Sequence, residues 1–107
     1  MQKKIEERFL DLFYKDLDEI TSYIINGFKN YKAANDLIDA IENAIDKRTP
    51  IADNFKSYKS KKHRDLDYYK LTVKNFYIFY VVIEEKDKSI VEYRRILYNK
   101  RNWQNII

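Results

Sequence analysis

The sequence predicts an α+β domain in which an antiparallel sheet of three to four strands carries an N-terminal helical hairpin on one face. Apolar residues recur at helical spacing before Pro50, alternate with polar residues at strand spacing from Tyr69 onward, and form a continuous run at Phe76–Ile83. A chain of 107 residues is long enough for one hydrophobic core. We therefore expect one domain over residues 1–107 with the element order β-α-α-β-β-β.

The first helix is predicted from an apolar stripe at spacings of 4, 3 and 4 residues, formed by Phe13, Leu17, Ile20 and Ile24. Asp11 is suited to cap its start, and Asp16 is expected on a solvated side of the helix. The pair Asn26-Gly27 is typical of a helix C-terminus. The pattern thus defines an amphipathic helix that ends at a glycine.

The second helix is expected from Asn30, which can cap it, to Arg48, and Pro50 disfavours its continuation. Its stripe consists of Ala34, Leu37, Ile38, Ile41, Ala44 and Ile45. Because the connection between the helices is short, they should pack as antiparallel neighbours.

The second half of the chain has strand patterns. Residues 68–73 alternate, Phe76–Ile83 is apolar on both faces and so forms the central strand, and residues 89–98 form another strand. A weaker pattern predicts a short strand at Lys4–Phe9. The aromatic residues of the central run are assigned to core packing rather than to RNA stacking. The segment Arg101–Ile107 should fold back as a turn or short helix, with Trp103 as a lid over the helices or, as the alternative, in contact with an antitoxin.

Composition excludes several classes of site. The chain has no cysteine and one histidine, His63, which excludes disulfides, thiolate zinc sites and His-rich metal clusters. The N-terminus turns acidic before any apolar stretch, unlike a signal peptide, and the longest apolar run is too short to span a membrane. We therefore expect a cytoplasmic protein that binds no metal, no cofactor and no membrane.

Charge divides the chain into two unequal halves. Residues 1–53 hold 11 acidic and 8 basic residues, whereas residues 54–107 hold 6 and 13, a net charge of +7. Five cations lie within nine residues around His63: Lys56, Lys59, Lys61, Lys62 and Arg64. This cluster indicates a loop that binds nucleic acid or the ribosome, with His63 as a candidate general base. The alternative is a solvated loop that keeps the protein soluble.

Several segments in this order resemble the RelE/ParE superfamily of toxins from type II toxin–antitoxin systems. They are Asp16-Leu17-Asp18-Glu19-Ile20, the Ala34, Ile41, Ile45 and Pro50 positions, Tyr69-Lys70-Leu71, Asn75 to Tyr80, and Tyr93 to Trp103. The resemblance implies the predicted fold and a cognate antitoxin as partner. RelE-like members cut mRNA in the ribosomal A site without metal, whereas ParE-like members inhibit DNA gyrase and cut nothing.

The resemblance also implies site residues. Lys70 is similar to a strand lysine of RelE-like toxins, Arg101 to their C-terminal arginine, and Tyr98 to a catalytic tyrosine. Arg94 and Arg95 point to opposite faces of a strand, and Arg95, which precedes the Ile-Leu pair, is expected to face the cleft. Together these side chains would neutralise the scissile phosphate and move a proton.

Two positions depart from the RelE-like pattern. Tyr77 stands where such enzymes have an arginine, and Thr72 where they have a second lysine. The expected function is ribosome-dependent mRNA cleavage. The alternatives are a gyrase inhibitor without catalytic activity and an inactive relative that keeps only the antitoxin-binding surface.

Overall fold

The computed structural model describes residues 3–62 and 64–107. Within these ranges the chain forms two helices and five strands in the order β1 (Lys4–Phe9), α1 (Asp11–Phe28), α2 (Tyr31–Arg48), β2 (Ser57–Tyr58), β3 (Tyr68–Val73), β4 (Phe76–Glu84) and β5 (Lys88–Tyr98). Short 3₁₀ turns at Thr49–Ile51 and Trp103–Asn105 follow α2 and β5. The α+β prediction is confirmed, and the weak N-terminal strand is present.

The sheet has the strand order β1-β5-β4-β3-β2. Its strands pair antiparallel except for β1, which is parallel to β5, so the sheet is mixed and not wholly antiparallel as predicted. The helical hairpin and three strands separate β1 from β5 in the chain. No short turn therefore joins these two strands, and they are not required to pair antiparallel as the strands of a β-hairpin are. The fifth strand, β2, lies inside the predicted basic loop and pairs with β3.

The helix ends match the sequence signals only in part. Asn30 caps α2 as predicted, its side-chain oxygen accepting a hydrogen bond from the backbone N–H of Ala33 at 3.0 Å. In α1 the cap position is Leu10, and Asp11 lies in the first turn, where its charge suits the helix dipole. Gly27 lies inside α1, and Lys29 adopts the left-handed conformation that ends the helix, with φ of 51°.

The helical hairpin covers one face of the sheet, here called the helix face. Its core joins the apolar stripes of both helices to the inward side chains of β3, β4 and β5, with Phe13, Leu37, Ile41 and Ile45 facing Ile78, Tyr80, Tyr93 and Ile96. Phe79 and Tyr80 of the central strand are 0% exposed, which confirms their assignment to the core. The C-terminal half of α1 packs less closely against the sheet, and its residues Ile20 and Ile24 are only half-buried.

The opposite face, here called the distal face, has a second core. It consists of Tyr68, Phe79, Val81, Leu97 and Ile107, with Trp103 and Ile106 packed against them. Residues 101–107, here called the C-terminal strap, therefore fold back onto the distal face, and Trp103 is not a lid over the helices. The physical reason is that β4 is apolar on both faces, so the side that the helices leave uncovered also needs apolar cover.

Candidate functional site

Lys70 lies on the distal face among three aromatic rings. Its Nζ is 4.4 Å from the ring centroid of Tyr77 and 5.1 Å from those of Tyr58 and Trp103. We call these three rings the aromatic box. An ammonium group within about 6 Å of a ring centroid is attracted by the negative face of the ring. The box therefore holds the Lys70 charge at a defined position on the sheet.

The rings of the box brace one another edge to face. Tyr58 and Trp103 have centroids 5.4 Å apart at an interplanar angle of 80°, and Tyr77 and Trp103 are 6.4 Å apart at 88°. Tyr77 stands where the resemblance implies an arginine, so that position supplies a wall of the box instead of a phosphate clamp. Its partner across the strands is Thr72, the second departure from the RelE-like pattern.

The basic cluster lies beside the box. Lys56, Lys59, Lys61, Lys62 and Arg64 are exposed, and the Lys56 ammonium is 5.4 Å from the ring of Tyr58. Ser60, buried between them, donates a hydrogen bond to the backbone oxygen of Ile107 at 2.6 Å and accepts one from the Lys62 N–H at 3.1 Å. The cluster is thus tied to the C-terminal strap. His63, the candidate general base, lies outside the described residues.

Arg95 lies on the helix face and not in a cleft, which corrects the sequence prediction. Its Nε and Nη2 donate to the two oxygens of Asp16 at 2.8 and 3.0 Å, and the Ile96 N–H donates to the same carboxylate at 3.0 Å. Asp16 is 7% exposed, although it was expected in solvent. A bulge turns Arg95 toward the helices. β4 and β5 pair Phe79 with Arg95 and Tyr80 with Tyr93, so one residue of β5 between them is skipped.

The skipped residue is Arg94, and its side chain lies on the distal face. It donates to Glu92 at 2.8 Å and to the hydroxyl of Tyr68, a residue of the distal core, at 3.0 Å. Burial disfavours its charge, but the hydrogen bonds to Tyr68 and Glu92 outweigh that effect and raise the pKa of Arg94 above its ordinary value. Glu92 is buried and also accepts from Arg8 at 3.3 Å. This network fixes Arg94 in place.

The remaining candidate residues lie at the same end of β5. Tyr98 packs against Phe76, with ring centroids 6.0 Å apart, and lies on the helix side of the sheet beside α1. Arg101 is exposed in the turn that begins the strap, where its N–H donates to the Tyr98 carbonyl at 3.0 Å and its carbonyl accepts from the Trp103 N–H at 2.8 Å. Lys70 and the strap that carries Arg101 therefore share the distal face, whereas Tyr98 and Arg95 do not lie there.

An apolar groove of about 720 Å³ opens between the C-terminal half of α1 and the adjoining ends of β4 and β5. Tyr23 and Phe28 line it and are 66% and 65% exposed, with their rings in edge-to-face contact at 5.4 Å. The other lining residues are Glu19, Ile20, Ile24, Asn75, Phe76 and Tyr98. An amphipathic helix beside a basic second half of the chain indicates such a groove, and two large exposed aromatic residues on that helix mark its position.

The described residues were also compared with the requirements of a metal site and of a membrane span. In residues 3–62 and 64–107, no group of three or more His, Asp or Glu side chains is placed to hold a metal ion. Across the same ranges, neither helix has the length and apolar character that crossing a bilayer requires. What the distal face offers is cationic charge together with aromatic rings, a combination suited to binding an anionic polymer with exposed bases.

Comparison with known proteins first shows the fold. A solved structure titled "Chromosomal ParDE TA system from P. aeruginosa" superposes with a TM-score of 0.64, covering 88% of this chain and 95% of that chain at 13% sequence identity. At this identity the likeness concerns the fold. No curated protein matches the sequence significantly.

The family model described as "ParE toxin of type II toxin-antitoxin system, parDE" matches residues 8–103. The chain belongs to this toxin family, within the RelE/ParE superfamily.

Proposed function

We propose that this toxin binds the ribosome and its mRNA through the distal face and cleaves the mRNA there without a metal ion, and that a cognate antitoxin silences it. One observation carries the proposal: the Lys70 ammonium lies in an aromatic box directly beside the exposed cations of the basic cluster. Cations bind the phosphates of a single strand, and aromatic rings stack on its bases.

The proposed chemistry needs a base for the 2′-hydroxyl, an acid for the leaving oxygen and cations for the phosphorane. Lys70 and Arg101 supply the cations. Tyr98 lies against Phe76 on the helix side, so in this proposal the proton-transfer role expected for Tyr98 passes to Tyr58 or Tyr77, the two tyrosines beside Lys70.

The second candidate is a gyrase inhibitor that cuts nothing. Arg95 is paired with Asp16, and Tyr98 lies beside α1. Only two of the four predicted catalytic side chains, Lys70 and Arg101, therefore share the face of the basic cluster, which favours a protein that binds without cutting. An inactive antitoxin-binding relative is the remaining alternative.

Two assays on the purified protein separate these candidates. We expect primer extension to find mRNA cut in the presence of translating ribosomes, and gyrase supercoiling of plasmid DNA to continue unchanged. Intact mRNA together with inhibited supercoiling would replace our proposal with the second candidate. Absence of both effects, with growth unchanged on induction, would leave the inactive relative.

The basic cluster should contribute to ribosome binding through charge. Replacing Lys59 and Lys62 with alanine should lower ribosome affinity and reduce the slope of log affinity against log salt by about 2, because each lysine neutralises about one phosphate. Single-turnover cleavage of mRNA that is already bound should be nearly unchanged. The matched control replaces Lys15 and Lys47, two exposed lysines of the helical hairpin. Equal reductions in both pairs would mean that the cluster has no special role.

We assign the antitoxin to the groove beside α1. Large exposed aromatic residues around an apolar groove are typical of a protein interface. The half of the chain that contributes β4 and β5 carries a net charge of +7, which favours an acidic, amphipathic segment that folds as it binds. Such a segment would set its apolar side chains in the groove and leave its acidic side chains for the exposed cations of that half of the chain.

Replacing Tyr23 and Phe28 together with alanine should weaken antitoxin binding by at least about 2 kcal/mol, roughly 30-fold, because exposed aromatic anchors supply much of the energy of such interfaces. The free energy of unfolding should change little, since both side chains are about two-thirds exposed. Calorimetry with the product of the neighbouring gene measures the affinity. Tyr14→Ala, an exposed tyrosine of the same helix, is the control. Unchanged affinity in the double variant would exclude the groove as the antitoxin site.

A further inference from the structure

The C-terminal strap completes the aromatic box from outside the sheet. Tyr58 and Tyr77 belong to β2 and β4, the strands that pair with β3 on either side of Lys70. Trp103 belongs to the strap, which is joined to the sheet by its own packing. The two tyrosines are therefore fixed by strand pairing, whereas the third wall of the box depends on the docking of the strap.

We infer that Trp103 is a positioning residue for Lys70, so that the strap controls the cation that meets the RNA phosphate; this inference rests on the proposed function. Lysine has a flexible four-carbon stem, and its ammonium can reach many positions when nothing holds it. Tryptophan has the aromatic ring that attracts a cation most strongly. Closing the box with Trp103 confines the ammonium before RNA arrives, which removes part of the ordering cost of binding.

The same turn connects Lys70 to Arg101. The carbonyl of Arg101 accepts from the N–H of Trp103, and the N–H of Arg101 donates to the carbonyl of Tyr98. The backbone position of Arg101 therefore depends on the turn that sets Trp103 against Lys70. Docking of one short segment therefore positions the Lys70 ammonium and the backbone that carries Arg101.

Trp103 also packs on Phe79, with ring centroids 5.2 Å apart, so a purely structural role must be separated from positioning. Trp103→Phe keeps a ring for the ammonium, and Trp103→Leu keeps apolar packing without one. Packing alone predicts similar behaviour of the two variants, whereas positioning through the ring predicts that phenylalanine rescues function and leucine does not.

The first readout is the NMR shift of the Lys70 side-chain methylene next to the ammonium, identified by its loss in Lys70→Met. We expect an upfield ring-current shift in the wild type, most of it kept in Trp103→Phe and lost in Trp103→Leu. The second readout is the affinity for a single-stranded RNA oligomer. It should fall about 10-fold in Trp103→Leu and about threefold or less in Trp103→Phe, within the range of cation–π energies.

Lys70→Met should weaken RNA binding as much as Trp103→Leu, and the double variant should lose little more, because both changes remove one interaction. Additive losses, or equal losses with phenylalanine and leucine, would overturn the inference. So would the absence of an upfield shift in the wild type, whatever the RNA result. A clear shift without any RNA binding would instead reject the proposed function and leave the positioning of Lys70 standing.

A second test leaves Trp103 in place, so that it does not depend on correct folding of Trp103→Leu. Trp103 is the single tryptophan of the chain, so its fluorescence reports on the box directly. Lys70→Met should change the intensity and wavelength of its emission, because a cation leaves the ring. Lys59→Met, which removes an exposed lysine of the basic cluster, should leave the emission unchanged. An unaltered spectrum in Lys70→Met would also overturn the inference.

Discussion

Replacing Asp16 with alanine is expected to lower the free energy of unfolding by about 3 kcal/mol, because it leaves the partly buried Arg95 guanidinium and the buried Ile96 N–H without their partner. Asp16 accepts two hydrogen bonds from Arg95 and one from the backbone of Ile96, and the side chains of Asp16 and Arg95 are 9% and 20% exposed. Solvent can replace these bonds only in part while the helix stays packed. For a domain of this size, such a loss is a large share of the total stability.

Urea denaturation measures this effect. Asp18→Ala on the same helix is the matched control, since Asp18 is exposed and should change stability by no more than about 0.5 kcal/mol. Replacing both partners, Asp16 with leucine and Arg95 with methionine, should recover much of the loss, because no uncompensated charge remains. A loss below about 1 kcal/mol in Asp16→Ala would mean that the pair is not the main tie between α1 and β5.

The Asp16–Arg95 pair also bears on the distal face. The bulge at residues 94 and 95 turns Arg95 toward α1 and Arg94 toward Tyr68 on the other side. The Asp16 carboxylate accepts a hydrogen bond from the Ile96 N–H, a backbone group next to the bulge. The pair therefore holds the strand geometry from which the strap and Arg101 continue.

Local patterns in the sequence predicted most of the fold. Periodicity located both helices, the central strand and the final strand, and the Asn30 cap followed from one residue type at one position. The direction of β1 could not be predicted in this way, because a long connection permits either direction. Strand alternation correctly predicted that Arg94 and Arg95 point to opposite faces, but it could not indicate which of the two faces the helices. That depends on a bulge in the pairing of two strands, which leaves no period in the sequence.

The candidate site was less predictable than the fold. Lys70 and the basic cluster could be identified from residue type and charge, but the box around Lys70 unites side chains from β2, β4 and the strap, which are distant in sequence. Trp103 was expected over the helices but lies on the distal face. An apolar residue of the strap can pack on any apolar surface that is uncovered. The sheet leaves such surface on both faces, and composition does not indicate which one the strap covers.

Replacing Arg101 with alanine should slow ribosome-dependent mRNA cleavage by on the order of 10²-fold or more, since it removes a cation that stabilises the charged transition state. Lys70→Ala should have a comparable effect. Because residues that act as a unit are non-additive, the double variant should be little worse than the more severe single variant. The fold should survive in Arg101→Ala, since Arg101 is exposed in a turn.

The measurement is the single-turnover rate of cleavage on programmed ribosomes at saturating toxin, so that a change in binding does not enter the rate. Lys100→Ala is the matched control, because Lys100 is also exposed and precedes Arg101 in the same turn, and it should cut at nearly the wild-type rate. If Arg101→Ala and Lys70→Ala both remain fully toxic and the wild type leaves mRNA intact, the nuclease proposal is wrong. Toxicity would then come from binding alone, as a gyrase inhibitor acts, and the same two variants should be tested for loss of supercoiling inhibition. A cationic face that only binds would lose affinity in proportion to the charge removed and would show a reduced salt slope, whereas a catalytic one loses rate at constant occupancy.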